Sequence, residues 1–125
     1  MKTVLIVGVG GCIGSMFRYL TALYFSKLIP SPFPYGTFIV NILGCLVIGL
    51  IYGFSTRFQS FSPEWRIFLA TGICGGYTTF SSFAYENVKL LQGGDYVTFS
   101  WYAISSFVLG LLATFIGMEL TKISI

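Results

Sequence analysis

The chain has 125 residues, 55% of them hydrophobic and 9% charged, with no histidine and a net charge of +3; its mean hydropathy is +0.84. A soluble domain carries about 25% charged residues, so the composition excludes a soluble catalytic domain or a nucleic-acid-binding domain of useful size. Apolar runs cover 3–26, 35–55, 65–91 and 97–120, each longer than the roughly 20 residues that cross a bilayer core, and predict an all-α membrane protein of four transmembrane helices in one domain, 1–125.

The first run follows Lys2 as a signal peptide would, but it is too long for an h-region and no A-x-A site follows, so it is expected to stay in the mature protein. Gly10 and Gly14 have the small-xxx-small spacing of closely packed membrane helices, repeated at Gly49/Gly53 and Gly72/Gly76. The G-x-x-G at Gly8 to Gly11 lies inside this apolar helix and is not read as a phosphate loop. Arg18 is an ionisable group at bilayer depth, which marks function by default. It reads both as a snorkelling anchor and as a cation that concentrates anions at the mouth of a path. Cys12, Cys45 and Cys74 fall one in each of the first three helices without metal-ligand spacing, and read as small packing residues.

Pro30, Pro32 and Pro34 predict a stiff extended connection, followed by Tyr35 and Phe38 at an interfacial aromatic belt. Asn41 sits about six residues into the second helix. Its amide serves either as an interhelical hydrogen bond or as a donor to a passing anion. The stretch from Arg57 to Trp65 is a short polar loop that makes the second and third helices antiparallel neighbours.

The third run contains Gly75-Gly76-Tyr77-Thr78-Thr79-Phe80-Ser81-Ser82-Phe83. Glycines weaken the helix and hydroxyls compete for its backbone bonds, so the helix is expected to break here. Carbonyls released at this depth need a partner and suit a hard cation; the other reading is a kink satisfied by Thr71, Thr78 and Thr79 side chains. Phe80 and Phe83, three apart, share a face, and their positive ring edges could hold a small anion; at most membrane positions such a pair is packing. Glu86 is expected to pair with Lys89 at i, i+3, a place at a channel mouth being the lesser reading. Gly93-Gly94-Asp95 turns the chain into the fourth helix, where Tyr102, Ser106 and Thr114 form a hydroxyl stripe.

With four spans, Lys2, Arg57, Arg66 and Lys122 lie on one side, and Lys27, Lys89 and an outward-reaching Arg18 on the other. Orientation follows the Lys/Arg difference between sides, and four against three leaves insertion in both orientations open alongside a single one.

The run Gly-x-Thr-Thr-Phe-Ser-x-Phe from Gly76 to Phe83, on the third of four hydrophobic segments, with Asn41 early in the second and Arg18 in the first, resembles the CrcB/Fluc family of fluoride channels over the whole chain. The resemblance implies an antiparallel, dual-topology homodimer in the bacterial inner membrane. It implies passive export of fluoride that enters as neutral acid, with no covalent chemistry. It also implies a structural sodium ion held by main-chain oxygens at Gly75 and Thr78, pore phenylalanines Phe80 and Phe83, a pore-lining Asn41, and anion contacts from Ser81, Tyr102, Ser106 and Arg18. Gly110 stands where the family can carry a hydroxyl, which favours Tyr102 and Ser106 over Thr114 as members of the polar track. The alternative is a small proton-coupled multidrug exporter of the four-helix, dual-topology type. That mechanism needs a carboxylate deep in the bundle, whereas Glu64, Asp95 and Glu119 lie at helix ends and Glu86 is late in its helix.

Overall fold

Residues 1–123 are described, in a computed structural model. The elements are α1 (Lys2–Leu28), α2 (Tyr35–Arg57), α3 (Pro63–Arg66), a π-helix (Ile67–Cys74), α4 (Gly75–Tyr77), α5 (Phe80–Gln92) and α6 (Tyr96–Ile123). Three of them, α1, α2 and α6, are long and apolar enough to cross a membrane. The remaining apolar run is divided among α3, the π-helix, α4 and α5.

Local chemistry sets the ends of these helices. The proline-bearing stretch Ile29 to Pro34 is non-helical, because each proline removes a donor and pushes its predecessor out of helical geometry. Ser62 caps α3 by accepting the Trp65 N–H at 3.2 Å, with Pro63 in the first turn, where its missing N–H costs nothing. Past α5, Gly94 takes φ +75°. The Asp95 N–H reaches the Leu90 carbonyl at 2.9 Å and the Gly94 N–H the Leu91 carbonyl at 3.1 Å, the paired closure of a Schellman turn that glycine makes without a Cβ clash. Asp95 Oδ1 then accepts the Thr98 N–H at 3.1 Å and starts α6.

The outer surface is apolar, and polar residues join Val40, Ile51 and Tyr102 inside. Leu5, Phe17, Leu20, Phe107 and Phe115 are exposed, while Thr37, Thr79, Asn87 and Thr121 are buried. Lipid is as apolar as leucine, so close van der Waals approach and internal polar bonds hold helices together instead. Two seams supply that approach. Along the first, Gly10 lies against the Phe68 carbonyl and Gly72, Gly14 against the Ile73 carbonyl and the Tyr77 nitrogen, and Gly76 against Gly11. Along the second, Gly49 meets the Thr114 backbone and Gly117 meets Leu46 and Leu50. The first seam joins α1 to the π-helix and α4, the second α2 to α6.

The glycine pair Gly75–Gly76 itself stays helical. Winding continues through both to Tyr77, and the backbone becomes extended at Thr78 (φ −81°, ψ 157°) and Thr79 (φ −149°, ψ 116°). Gly76 serves close approach to α1 instead. The π winding before it, with one more residue in each hydrogen-bonded ring than an α-helix has, is seen where the Gly75 N–H reaches back to the Ala70 carbonyl.

Candidate functional site

The extended step at Thr78–Thr79 leaves backbone groups without helical partners, and one side chain on α2 meets them. Asn41 Nδ2 donates to the Thr79 carbonyl at 3.1 Å, and the Thr79 N–H donates to Asn41 Oδ1 at 2.9 Å. The amide thus pairs with a single peptide residue as a neighbouring strand would. In a continued α-helix the Thr79 N–H would go to the Gly75 carbonyl; its transfer to Asn41 releases that oxygen. Thr78 turns its hydroxyl back to the Cys74 carbonyl at 2.9 Å, and its methyl group packs into the space left by Gly44. The Thr79 hydroxyl accepts the Ser82 N–H at 3.1 Å to start α5, and lies 3.2 Å from the hydroxyls of both Ser81 and Ser82.

A cavity of about 400 Å³ opens beside this step, bordered by Asn41, Thr78, Thr79, Phe80, Phe83 and Ser106. Every side chain lining it is neutral. Ser106 borders the cavity, and its Oγ is buried without a hydrogen-bond partner among the described residues. The rings of Phe80 and Phe83 lie 5.8 Å apart at 42°, and Phe83 continues to Tyr102 at 5.0 Å. Phe80 is 78% exposed, although it borders the cavity.

On the other side of Thr79 a second cavity, about 280 Å³, is lined by Arg18, Thr37, Ser81 and Ser82. Arg18 takes part in no ion pair among the described residues, and Ser81 is exposed. The Asn41–Thr79 pairing therefore stands between a neutral, ring-lined space and a hydroxyl-lined space with one cation.

A third group joins the site that the sequence did not assemble. Glu86 accepts from the Thr37 hydroxyl with one carboxylate oxygen and from the Tyr102 hydroxyl with the other, both at 2.7 Å. The i, i+3 pairing with Lys89 does not form; Lys89 instead sits over the Tyr85 ring at 5.8 Å. Tyr102 is fully buried, its ring also edge-on to Phe33 at 5.3 Å, so its hydroxyl is committed to Glu86. Thr114 spends its hydroxyl on the Cys45 and Gly110 carbonyls at 3.2 and 3.0 Å and borders neither cavity. The visible signal for Glu86 was its place one helical turn after Phe83; Thr37 gave no signal, because its partner is 49 residues away.

Among the described residues no cluster of three His, Cys, Asp or Glu could hold a metal. The released Gly75 carbonyl and the extended Thr78 are oxygen donors of the kind a hard monovalent cation takes, and Gly75 is exposed, so the residues fit such an ion.

Residues 5–118 match the family described as CrcB-like protein, Camphor Resistance (CrcB). The chain is 46% identical over 122 residues to a fluoride-specific ion channel FluC of Flavobacterium psychrophilum, covering 98% of both proteins. It is 48% identical over 120 residues to the protein of that name in Bacteroides fragilis, covering 94% of each. With the one in Leptospira interrogans it shares 42% identity over 121 residues, 97% of this chain and 95% of that protein. A site built on the Thr-Thr-Phe-Ser stretch, in a chain matched almost end to end, makes this multi-pass membrane protein a member of the CrcB family.

Proposed function

We propose that the protein is a passive, fluoride-selective channel of the cell's inner membrane. The observation that carries this is the neutral cavity between Phe80, Phe83, Asn41 and the unpartnered Ser106 hydroxyl. Ring edges and single hydroxyl or amide donors hold a small anion without the grip of a fixed cation, and a site that is left as readily as it is entered allows throughput. Arg18 attracts anions into the adjoining cavity, and Ser81 offers a donor there. Glu86, fixed by Thr37 and Tyr102, directs both of their protons onto itself, so it orders this wall of the path rather than offering donors to it. The relatives' shared name supports fluoride as the substrate.

The conducting unit in this reading is an antiparallel homodimer, in which α3 to α5 make one membrane crossing broken at Thr78–Thr79. The near balance of Lys and Arg between the two sides favours insertion both ways. Exposure of Phe80 and Gly75 beside the site favours a second copy completing it. A sodium ion on the dimer axis would be held by the Gly75 and Thr78 carbonyls, where it would offset the cost of unpaired backbone oxygen in lipid and lend a positive field.

The test is reconstitution into liposomes with a fluoride electrode. Fluoride efflux is expected without a proton gradient, and Phe80→Ile or Phe83→Ile is expected to lower it strongly while the assembly stays intact. The second reading, a proton-coupled exporter, draws on Glu86 as a carboxylate held inside the bundle; transport that stops when the proton gradient is removed would favour it over the channel.

A cation on the axis makes a separate prediction. A Cβ built on Gly75 meets nothing closer than the Ala70 carbonyl at 3.8 Å, so Gly75→Ala fits within one protomer. Gly75→Val is nonetheless expected to abolish efflux and weaken dimer assembly, because the added bulk lies where the second copy and the ion meet. Thr78→Ser keeps the hydroxyl bond to Cys74 and is expected to be mild. Size-exclusion profiles with efflux measured on the same preparations check both, and a fully active Gly75→Val dimer would remove the axial ion.

A further inference from the structure

Two shallow cavities, of about 300 and about 490 Å³, adjoin at the end of the bundle that carries Lys2 and Ser62, and share Ile6 and Phe68 in their walls. Together they form a groove between α1 and the start of the α3 and π-helix segment. Its floor is apolar, made by Leu5, Ile6, Val9 and Phe68, with Trp65 edge-on to Phe68 at 5.7 Å. From Lys2 to Val9 the groove runs about 10 Å along α1, most of the depth of one leaflet, which is half of a hydrocarbon core about 30 Å thick. At its outer end stand one cation and one anion, Lys2 Nζ and Glu64 Oε2, 4.0 Å apart with side chains 79% and 65% exposed. An ion pair this open and this long contributes little to the fold, and it leaves both charges free to meet a ligand.

We propose that this groove binds a zwitterionic phospholipid bearing a primary amine, one acyl chain along Leu5, Val9 and Phe68, its phosphate on Lys2 and its ammonium on Glu64. Charge complementarity selects the headgroup. An anionic headgroup without an amine satisfies Lys2 but places negative charge beside Glu64. A choline headgroup carries the right charges, but its quaternary nitrogen has no N–H to give the carboxylate, and charge-assisted hydrogen bonds are the strong ones. Trp65, at the rim, is the amphipathic residue that membrane interfaces favour. The groove borders neither of the two cavities at Thr79, so lipid binding here stands apart from the channel reading and is tested without measuring flux.

The experiment is native mass spectrometry of the detergent-purified protein, incubated with equimolar phosphatidylethanolamine, phosphatidylcholine and phosphatidylglycerol of identical chains. Phosphatidylethanolamine is expected to be retained about fivefold over either competitor, the ratio that goes with one favourable headgroup charge contact. Lys2→Ala with Glu64→Gln should erase the preference, and Val9→Trp should erase retention by filling the groove. The exchange Lys2→Glu with Glu64→Lys, which keeps one charge of each sign on the exposed rim, should restore the preference. Equal retention of the three lipids by the unaltered protein would overturn the proposal, as would a preference that survives both the charge-removed and the groove-filled variants. Cross-linking of Val9→Cys to a second subunit would place another copy of the chain in the groove and overturn it equally.

Discussion

Asn41→Leu is expected to reduce fluoride efflux to that of protein-free liposomes and to lower thermal stability in detergent. The asparagine satisfies both the N–H and the carbonyl of Thr79, Thr79 is only 8% exposed, and leucine offers neither group a partner. Each orphaned buried group costs about 1–3 kcal/mol. The step then has two ways to relax: the helix extends through Thr79, returning its N–H to Gly75, or the segment loosens. Either one moves Phe80 and closes or disorders the cavity beside it. Asn41→Asp separates the parts, since it keeps an acceptor for the Thr79 N–H but turns oxygen against the Thr79 carbonyl; an intermediate loss of stability is expected. Wild-type stability and flux in Asn41→Leu would mean that the amide does not hold the step.

The second large effect is expected at a residue that lines neither cavity. A Cβ on Gly14 would fall inside contact distance of the Ile73 carbonyl oxygen and within 2.9 Å of the Tyr77 nitrogen. Both are backbone atoms, so no rotamer change relieves the overlap; α1 must move away from the π-helix and α4. Overpacking of this kind costs about 1–3 kcal/mol, and the displacement is passed to Thr78 directly after α4. Gly14→Ala is therefore expected to lower melting temperature and efflux together. Gly8→Ala, six residues earlier on α1 with nothing within 4 Å of the added carbon, is the matched control and should change neither. Equal behaviour of the two variants would show that the glycine seam does not set the position of the site.

The sequence disclosed the helical framework because the signal is compositional: α1, α2 and α6 occupy the first, second and fourth apolar runs, with C-terminal ends extended by two to three residues. The third run was harder. Gly75 and Gly76 look like a break when read alone, since glycine weakens any helix, but glycine is also what lets one backbone touch another, and Gly76 is used against Gly11. The extended step lies at Thr78–Thr79, inside the stretch read as weak, and its partner Asn41 is 38 residues away and invisible to local reading. The same reason explains Glu86. Lys89 was its nearest opposite charge along the chain, whereas the donors it accepts from sit on α2 and α6. Residue types at the site were legible; their pairings depended on distances between helices that no local pattern encodes.

The winding of Ile67–Cys74 has a consequence for how this stretch can vary. Side chains there are mostly apolar and touch the neighbouring helices through a few small positions, so many substitutions are compatible with it. Length is another matter. Each residue gained or lost between Gly72 and Thr78 rotates the downstream backbone by about 100° against the glycine seam, which would swing the Thr79 N–H away from α2. The five-residue connection from Phe58 to Ser62 has no such phase to keep. Insertions and deletions are thus tolerable in that loop and forbidden between Gly72 and Thr78, a rule about spacing that residue identity alone does not express.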